Sequence, residues 1–324
     1  MILPQQDFIY DQHQTVVPFG IYDDLIKNVD TSSVDKQGFV AKKRRTERKA
    51  WIFVGVFSPE LICGLAIVDA GMVATAFSYF YSFKDSLFEE DKITVPLGFP
   101  TDFNPNLDSE WKLGNYLIKT ENGKMKLQYV GKYKLYMELE NTANGVSIVA
   151  PSKGDRPFNF TYKNVCLPVK VQINKGNTNT YATSGKYGSI DFTKGFPPRE
   201  TIWNWLSFIG ITESKKSIAV NLVDRFNNNM ENILWIDGQK TTLSSATFSM
   251  QAPYDKSDWN ITTQDGILKC HLSPCGARSE NINALVMKSK FIQPFGTLNN
   301  SVMIDGKEEK FTAIGVAEDH HAIW

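Results

Sequence analysis

Short apolar or alternating runs, broken by tight-turn dipeptides, recur over most of this chain and constrain its fold more than any other feature. Trp51–Phe57, Leu61–Val68, Met72–Phe80, Met125–Val130, Lys134–Leu139 and Val146–Val149 form the first series. Val169–Ile173, Ser217–Val223, Ile233–Ile236, Ala246–Met250, Ile267–Leu272, Ala284–Phe291 and Ser301–Ile304 continue it. Asn122-Gly123, Asn144-Gly145, Asp237-Gly238, Asp265-Gly266 and Asp305-Gly306 stand between such runs. These pairs tolerate the positive φ that two-residue hairpin turns demand. Almost nothing reads as a long amphipathic helix. The pattern predicts an all-β chain, a sandwich or a barrel.

A length of 324 residues suits two domains of middling size or one large one. Ala150–Arg156 and Asn174–Gly188 are polar and glycine-rich and read as long loops. The boundary is therefore expected near 160, dividing residues 1–160 from residues 161–324. Trp51 precedes an apolar run ending at Asp69, and Trp205 precedes one ending at Asp224 after a nearly equal interval. That echo hints at a duplicated unit.

Charge and hydropathy exclude several classes of function. Lysine plus arginine equals aspartate plus glutamate at 35 each, so a nucleic-acid partner held by bulk charge is not expected. With 42% apolar and 12% aromatic residues, the chain has the material for a core. Leu61 to Tyr81 approaches the roughly 20 apolar residues of a membrane span. Asp69 at its centre and the turn chemistry of Asp69-Ala70-Gly71 favour two strands joined by a tight turn. The basic cluster Lys42 to Arg45 with Arg48 and Lys49 is interrupted by Glu47 and reads as a solvated loop edge. No membrane span is expected, and peripheral membrane contact stays open. The start of the chain has neither a basic n-region nor an apolar stretch of signal-peptide length. Cys63, Cys166, Cys270 and Cys275 are too few for a disulfide scaffold and read as free thiols in a reducing, cytoplasmic compartment. A zinc site on Cys270-His271 and Cys275 is disfavoured, because adjacent strand residues point to opposite faces. No metal or other cofactor is expected, and the oligomeric state is not set by the sequence.

Gly-x-Ser-x-Gly, Walker-type, dinucleotide and His-Glu-x-x-His signatures are all missing. Chemistry then has two places to sit. The first cluster is Trp203 and Trp205, Asn221, Asp224-Arg225, Glu231-Asn232 and Trp235. Trp203 and Trp205 share one strand face and form a two-indole wall, whereas Asn221 and Asp224 point apart. Such a wall lines an apolar ligand, or equally packs a Trp-rich core with Asp224–Arg225 as a surface pair. The second cluster is the terminal Glu318-Asp319-His320-His321 with Trp324. It reads as an acid–base pair in which a carboxylate orients a proton-shuttling histidine, as a structural latch plugged by Trp324, or as a metal site short of ligands.

Several of these residues carry a family resemblance. Lys49-x-Trp51, Asp69-x-Gly71, Phe160-Thr-Tyr-Lys163 and Gly188…Asp191…Pro198-Arg199…Trp203-x-Trp205 belong to it. So do Asn221-Leu222, Glu231-Asn232, Trp235-x-Asp237-Gly238, Gln293-Pro-Phe-Gly296 and the closing Glu318-Asp319-His320 with Ala322 and Trp324. In that order, from about residue 15 to the end, they resemble a widespread bacterial family known as a domain of unknown function. That family is distantly similar to carotenoid 1,2-hydratase and AttH-type proteins of the calycin superfamily. The resemblance implies two lipocalin-like antiparallel β-barrels in tandem, which enclose apolar space. It implies binding of a hydrophobic lipid- or isoprenoid-like molecule lined by Trp203, Trp205, Asn221, Glu231, Trp235 and Trp324. The alternative is a hydratase, isomerase or cyclase that protonates an alkene from Asp224, Glu318 or Asp69, with His320 as the proton shuttle.

Overall fold

The computed structural model describes residues 1–31, 46–96, 106–176, 179–283 and 288–324. Lys42 to Arg45 and the start of the Ala284–Phe291 run lie outside the described residues. The described residues are all-β: 68% of them are strand and almost none is helix. One sheet curls into a nearly closed barrel and the other into a half-barrel, two tandem antiparallel bodies as expected.

The N-terminal sheet comprises β1 (Ile2–Leu3), β2 (Gly20–Asp23), β3 (Lys49–Phe57), β4 (Leu61–Asp69), β5 (Val73–Ser82), β6 (Leu87–Pro96) and β7 (Glu110–Leu113). It continues with β8 (Tyr116–Glu121), β9 (Lys124–Val130), β10 (Lys134–Glu140), β11 (Val146–Ala150), β12 (Asn159–Lys175) and β13 (Asn179–Gly195). The C-terminal sheet holds β14 (Glu200–Thr212), β15 (Ser217–Asp224), β16 (Ile233–Ile236), β17 (Gln239–Thr242), β18 (Ala246–Met250), β19 (Trp259–Thr263), β20 (Leu268–Asn283), β21 (Lys288–Ile304) and β22 (Lys307–Ile323).

Both sheets share one path. In the first, β3 to β6 run out in order on one side, and the last strand, β13, returns to pair with β3. In the second, β14 to β17 run out in order and the last strand, β22, returns to pair with β14. Trp51 and Trp205 lie on the opening strands, and Asp69 and Asp224 end the strands that follow. The echo in the sequence thus has a topological counterpart.

The hairpins expected at Asn122-Gly123, Asp237-Gly238, Asp265-Gly266 and Asp305-Gly306 form. Asn144-Gly145 instead joins β10 to β11, which do not pair: β10 is laddered to β9 and β12, and β11 to β12 and β2. Leu61 to Tyr81 folds as β4 and β5 rather than as a span, with Gly71 at φ +81° and Asp69 Oδ1 accepting its N–H at 2.8 Å. Among the described residues no helix is long and apolar enough to cross a membrane. Positive φ at both residues of Asn122-Gly123, Asp237-Gly238 and Asp305-Gly306 matches the mirror-image turn these pairs favour.

The division of the chain differs from the expectation. Compactness separates Ile2–Val56 with Cys63–Pro198 from Arg199–Trp324, which takes Met1 and Phe57–Ile62 with it. A boundary at 160/161 falls within β12, and β12 is laddered to both β10 and β13 of the N-terminal sheet. The polar stretch from Asn174 that reads as a loop is largely paired strand, with Asn174 opposite Thr180, Gln172 opposite Ala182 and Lys170 opposite Ser184. Its side chains are polar because most of them face solvent, while the ladder supplies the backbone hydrogen bonds.

In the C-terminal sheet the apolar core follows the two-residue period. Leu206 and Phe208 of β14, Ile218, Val220 and Leu222 of β15, and Phe311, Ala313 and Ala317 of β22 pack in one cluster with Trp259, Ile261 and Leu298. Cys270 joins that cluster, while His271 faces outward to Asn260 at 2.9 Å and Asp258 at 3.1 Å. Neighbouring strand positions thus separate the two residues, as the period requires. All four cysteines are free. Burial pushes the Cys63 and Cys270 thiols well up and the Cys166 thiol up to about 12.

Candidate functional site

The residues between those core positions occupy the opposite face of the C-terminal sheet, and that face is polar and aromatic. Trp203 and Trp205 alternate with Asn204 and Leu206 on β14, and Glu318 and His320 alternate with Ala317 and Asp319 on β22. The ladder sets them side by side: Trp203 opposite His320 and Trp205 opposite Glu318. On the other flank of β22, Phe291 of β21 lies opposite His320, and the same register places Gln293 opposite Glu318. One strand further, Arg278 of β20 lies opposite Gln293 and Glu280 opposite Phe291. Two rows running across four strands, Glu280–Phe291–His320–Trp203 and Arg278–Gln293–Glu318–Trp205, therefore form one patch.

Glu318 is the centre of that patch and is only 7% exposed. Its Oε1 accepts the Trp203 indole N–H at 2.8 Å, and its Oε2 accepts the Gln293 amide N–H at 3.0 Å. His320 Nδ1 lies 3.4 Å from Oε1 of the same carboxylate. The other edge of the imidazole, Nε2, lies 2.9 Å from the Ser289 hydroxyl. Aromatic rings wall the imidazole in: Trp203 at 4.1 Å between centroids, Phe291 edge-on at 5.2 Å and Trp324 at 6.4 Å. The Arg278 guanidinium sits 5.0 Å from the Phe291 centroid and pairs with Glu280 at 3.4 Å.

The other expected site residues take different places. Asp224 is on the core-side face, across from the indoles, and pairs with the Arg225 guanidinium at 3.6 Å. Arg225 also bonds the Asn204 side-chain oxygen and approaches Asp319 at 3.5 Å, while Asn204 donates to Asp319 at 2.8 Å. This is an ion-pair network at the strand end, and it sets Asp224 apart from Glu318. Asp69 belongs to the N-terminal unit, where it caps its own turn. Asn221 bridges, accepting the Trp205 indole N–H at 2.8 Å and donating to the Glu231 carbonyl at 2.8 Å. The Glu231 carboxylate in turn accepts from Asn227 at 2.6 Å. Asn221 and Glu231 thus hold Trp205 in place. Trp235, buried, shares the Trp205 face, opposite Ala219. Trp324 fastens the chain end, its indole N–H to Thr201 Oγ1 at 2.8 Å and its backbone N–H to the Arg199 carbonyl at 2.9 Å.

The phenyl ring of Phe226, 5.5 Å from Trp203, extends the aromatic wall. It is followed by Asn227, Asn228 and Asn229, all at positive φ. Asparagine bears that conformation better than most residues. Reading the sequence alone placed Gln293 only as part of a family motif and did not mark Ser289, Phe291, Arg278 or Phe226 as site residues. Ser289, Phe291 and Gln293 stand two apart on one strand, as do Arg278 and Glu280, and that spacing was the available signal. In the N-terminal unit, two residues of the family motifs, Lys163 and Asp191, form an ion pair at 2.6 Å with both side chains largely buried.

The fold defines a class: all-β proteins of two tandem, largely antiparallel sheets. Two solved structures share the fold. One, from Nitrosomonas europaea and assigned as AttH, has 11% identity and a TM-score of 0.54, covering 83% of this chain and 92% of that one. The other, kievitone hydratase from Nectria haematococca, has 12% identity and a TM-score of 0.56, covering 93% of this chain and 97% of that one. The chain itself belongs to the family described as Domain of unknown function (DUF2804), whose model matches residues 3–324. No curated protein matches it in sequence.

Proposed function

We propose that this protein binds a hydrophobic, alkene-bearing small molecule and catalyses a proton-transfer reaction on it, a hydration, isomerisation or cyclisation, at Glu318 and His320. The observation that carries the reading is the Glu318–His320 pair itself, Glu318 buried and His320 half-buried beside Trp203 and Phe291. A carboxylate that holds one imidazole nitrogen lets the other give and take a proton near neutral pH. Indole and phenyl faces beside it stabilise positive charge building on carbon. Trp203, Phe226, Phe291 and Trp324 supply the apolar contact area. Of the three candidate acids, Glu318 fits best, because Asp224 is engaged by Arg225 and Asp69 by its own turn. A hydratase among the structures of the same fold agrees with this class of reaction. Free thiols fit a reducing compartment, the cytoplasm.

Mass spectrometry under native conditions identifies whatever co-purifies, and a panel of geraniol, farnesol and a total lipid extract in D2O tests the chemistry. The protein is expected to place solvent deuterium on an alkene carbon, and Glu318→Gln or His320→Gln is expected to slow that by about 10²–10⁴-fold. If both variants match the unmodified protein in product and rate, the reading is overturned.

A further inference from the structure

Both imidazole nitrogens of His320 are engaged from within the protein, Nδ1 towards Glu318 at 3.4 Å and Nε2 with Ser289 at 2.9 Å. Both Glu318 oxygens are engaged as well, by Trp203, His320 and Gln293. A substrate therefore meets no unengaged imidazole nitrogen of His320. The Ser289 hydroxyl is different. It is half-buried, bonds His320, and as a hydroxyl has one O–H and two lone pairs on a free rotor. After one bond to the imidazole it keeps capacity for a second.

We infer that Ser289 is a catalytic residue, the terminal member of a Glu318–His320–Ser289 proton relay, and that its Oγ is the atom that exchanges protons with the alkene. The inference rests on the acid–base reading of Glu318 and His320. In the neutral imidazole, Nδ1 carries the proton on the side of Glu318 Oε1, 3.4 Å away, and Nε2 accepts the Ser289 O–H. In the imidazolium, Nε2–H donates to Oγ, so the Ser289 O–H is turned out towards the ligand. Proton delivery then balances: the Ser289 O–H passes to an alkene carbon while the His320 Nε2–H passes to Oγ. Water adds to the resulting cation, and the proton it sheds returns through Oγ to Nε2. Only water is consumed. The rings of Trp203 and Phe291 keep the imidazole from swinging out of line.

Ser289→Ala and Ser289→Thr, each in the full chain, test this with two readouts. The chain has four histidines, so ¹⁵N labelling of the rings resolves His320, assigned through His320→Gln. Ser289→Ala is expected to move the His320 Nε2 resonance by loss of its hydrogen bond, and Ser289→Thr is expected to keep it. Unchanged His320 resonances in Ser289→Ala would overturn the relay without any substrate. With farnesol in D2O, Ser289→Ala is expected to lower kcat about ten-fold or more with little change in KM, and Ser289→Thr to restore much of it. If His320→Gln abolishes exchange and Ser289→Ala does not, the relay fails and the acid–base reading stands. If neither changes exchange, both fail.

Discussion

At the scale of single residues, the patch is held by hydrogen bonds whose loss leaves a buried charge short of partners. Gln293 is 2% exposed and supplies the donor to Glu318 Oε2. Replacing it with leucine keeps the bulk and removes that donor. The expected cost is about 1–3 kcal/mol of stability, read as a lower urea midpoint at pH 7. Much of the patch was legible in the sequence at this scale. Trp203 and Trp205, and Glu318 and His320, stand two apart, and period two alone puts each pair on one face. The same rule separates Asn221 from Asp224, and the structure keeps them apart. Asp224 pairs with Arg225, as the alternative reading of that cluster expects, and lies on the face opposite the indoles.

At the scale of elements, turns carry what strands need. The β4–β5 turn has Gly71 at φ +81°, and a Cβ there would stand 2.5 Å from the Thr46 carbonyl oxygen. Gly71→Ala is expected to cost at least about 1–2 kcal/mol from the left-handed backbone alone, with a matching drop in thermal midpoint. Asp265 ties the β19–β20 turn to the link between β17 and β18. Its oxygens accept Thr263 Oγ1 at 2.6 Å, the Ile267 N–H at 3.0 Å and the Ser244 N–H at 2.7 Å. Partial burial works against its charge, and the bonds from Thr263, Ser244 and Ile267 outweigh that, holding the carboxyl below its ordinary value near 3.8. A folded-state value below the unfolded one stabilises the fold above about pH 4, and that gain is lost as pH falls through the lower, folded value. Asp265→Asn is therefore expected to unfold earlier than the unmodified protein at pH 7, and the gap is expected to close in acid. Denaturation curves at pH 7, 4 and 3 check the sign. All the hairpin dipeptides except Asn144-Gly145 predicted their own turns, whereas β13 and the far half of β20 were read as loop or missed. Their residues are polar on the solvent side, so only pairing with neighbours makes them strands.

At the scale of the whole molecule, the end of the chain completes a sheet. β22 lies between β14 and β21, so the last strand joins two strands already laid down. Deleting Trp324 alone removes its bonds to Thr201 and Arg199 and is expected to cost about 1–3 kcal/mol. Deleting from Glu318 onward strips the ladder from Glu200 to Trp205 on one side and from Lys288 to Ile292 on the other. The C-terminal unit is then expected not to fold, with loss of its cooperative transition in circular dichroism. The sequence by itself determined that the chain is β throughout, where its tight turns fall, which side chains share a strand face and which family it belongs to. The first three follow from local backbone preference and a two-residue period, which a sequence carries directly, and the family from the order of its motifs. Tertiary structure alone decided that β12 and β13 belong to the first sheet, and that Glu318 stands beside Gln293 and Trp203 rather than Asp224. Cross-strand register brings Trp203 to Glu318, 115 positions away, and it is set by ladder pairing and core packing rather than by anything local to either strand.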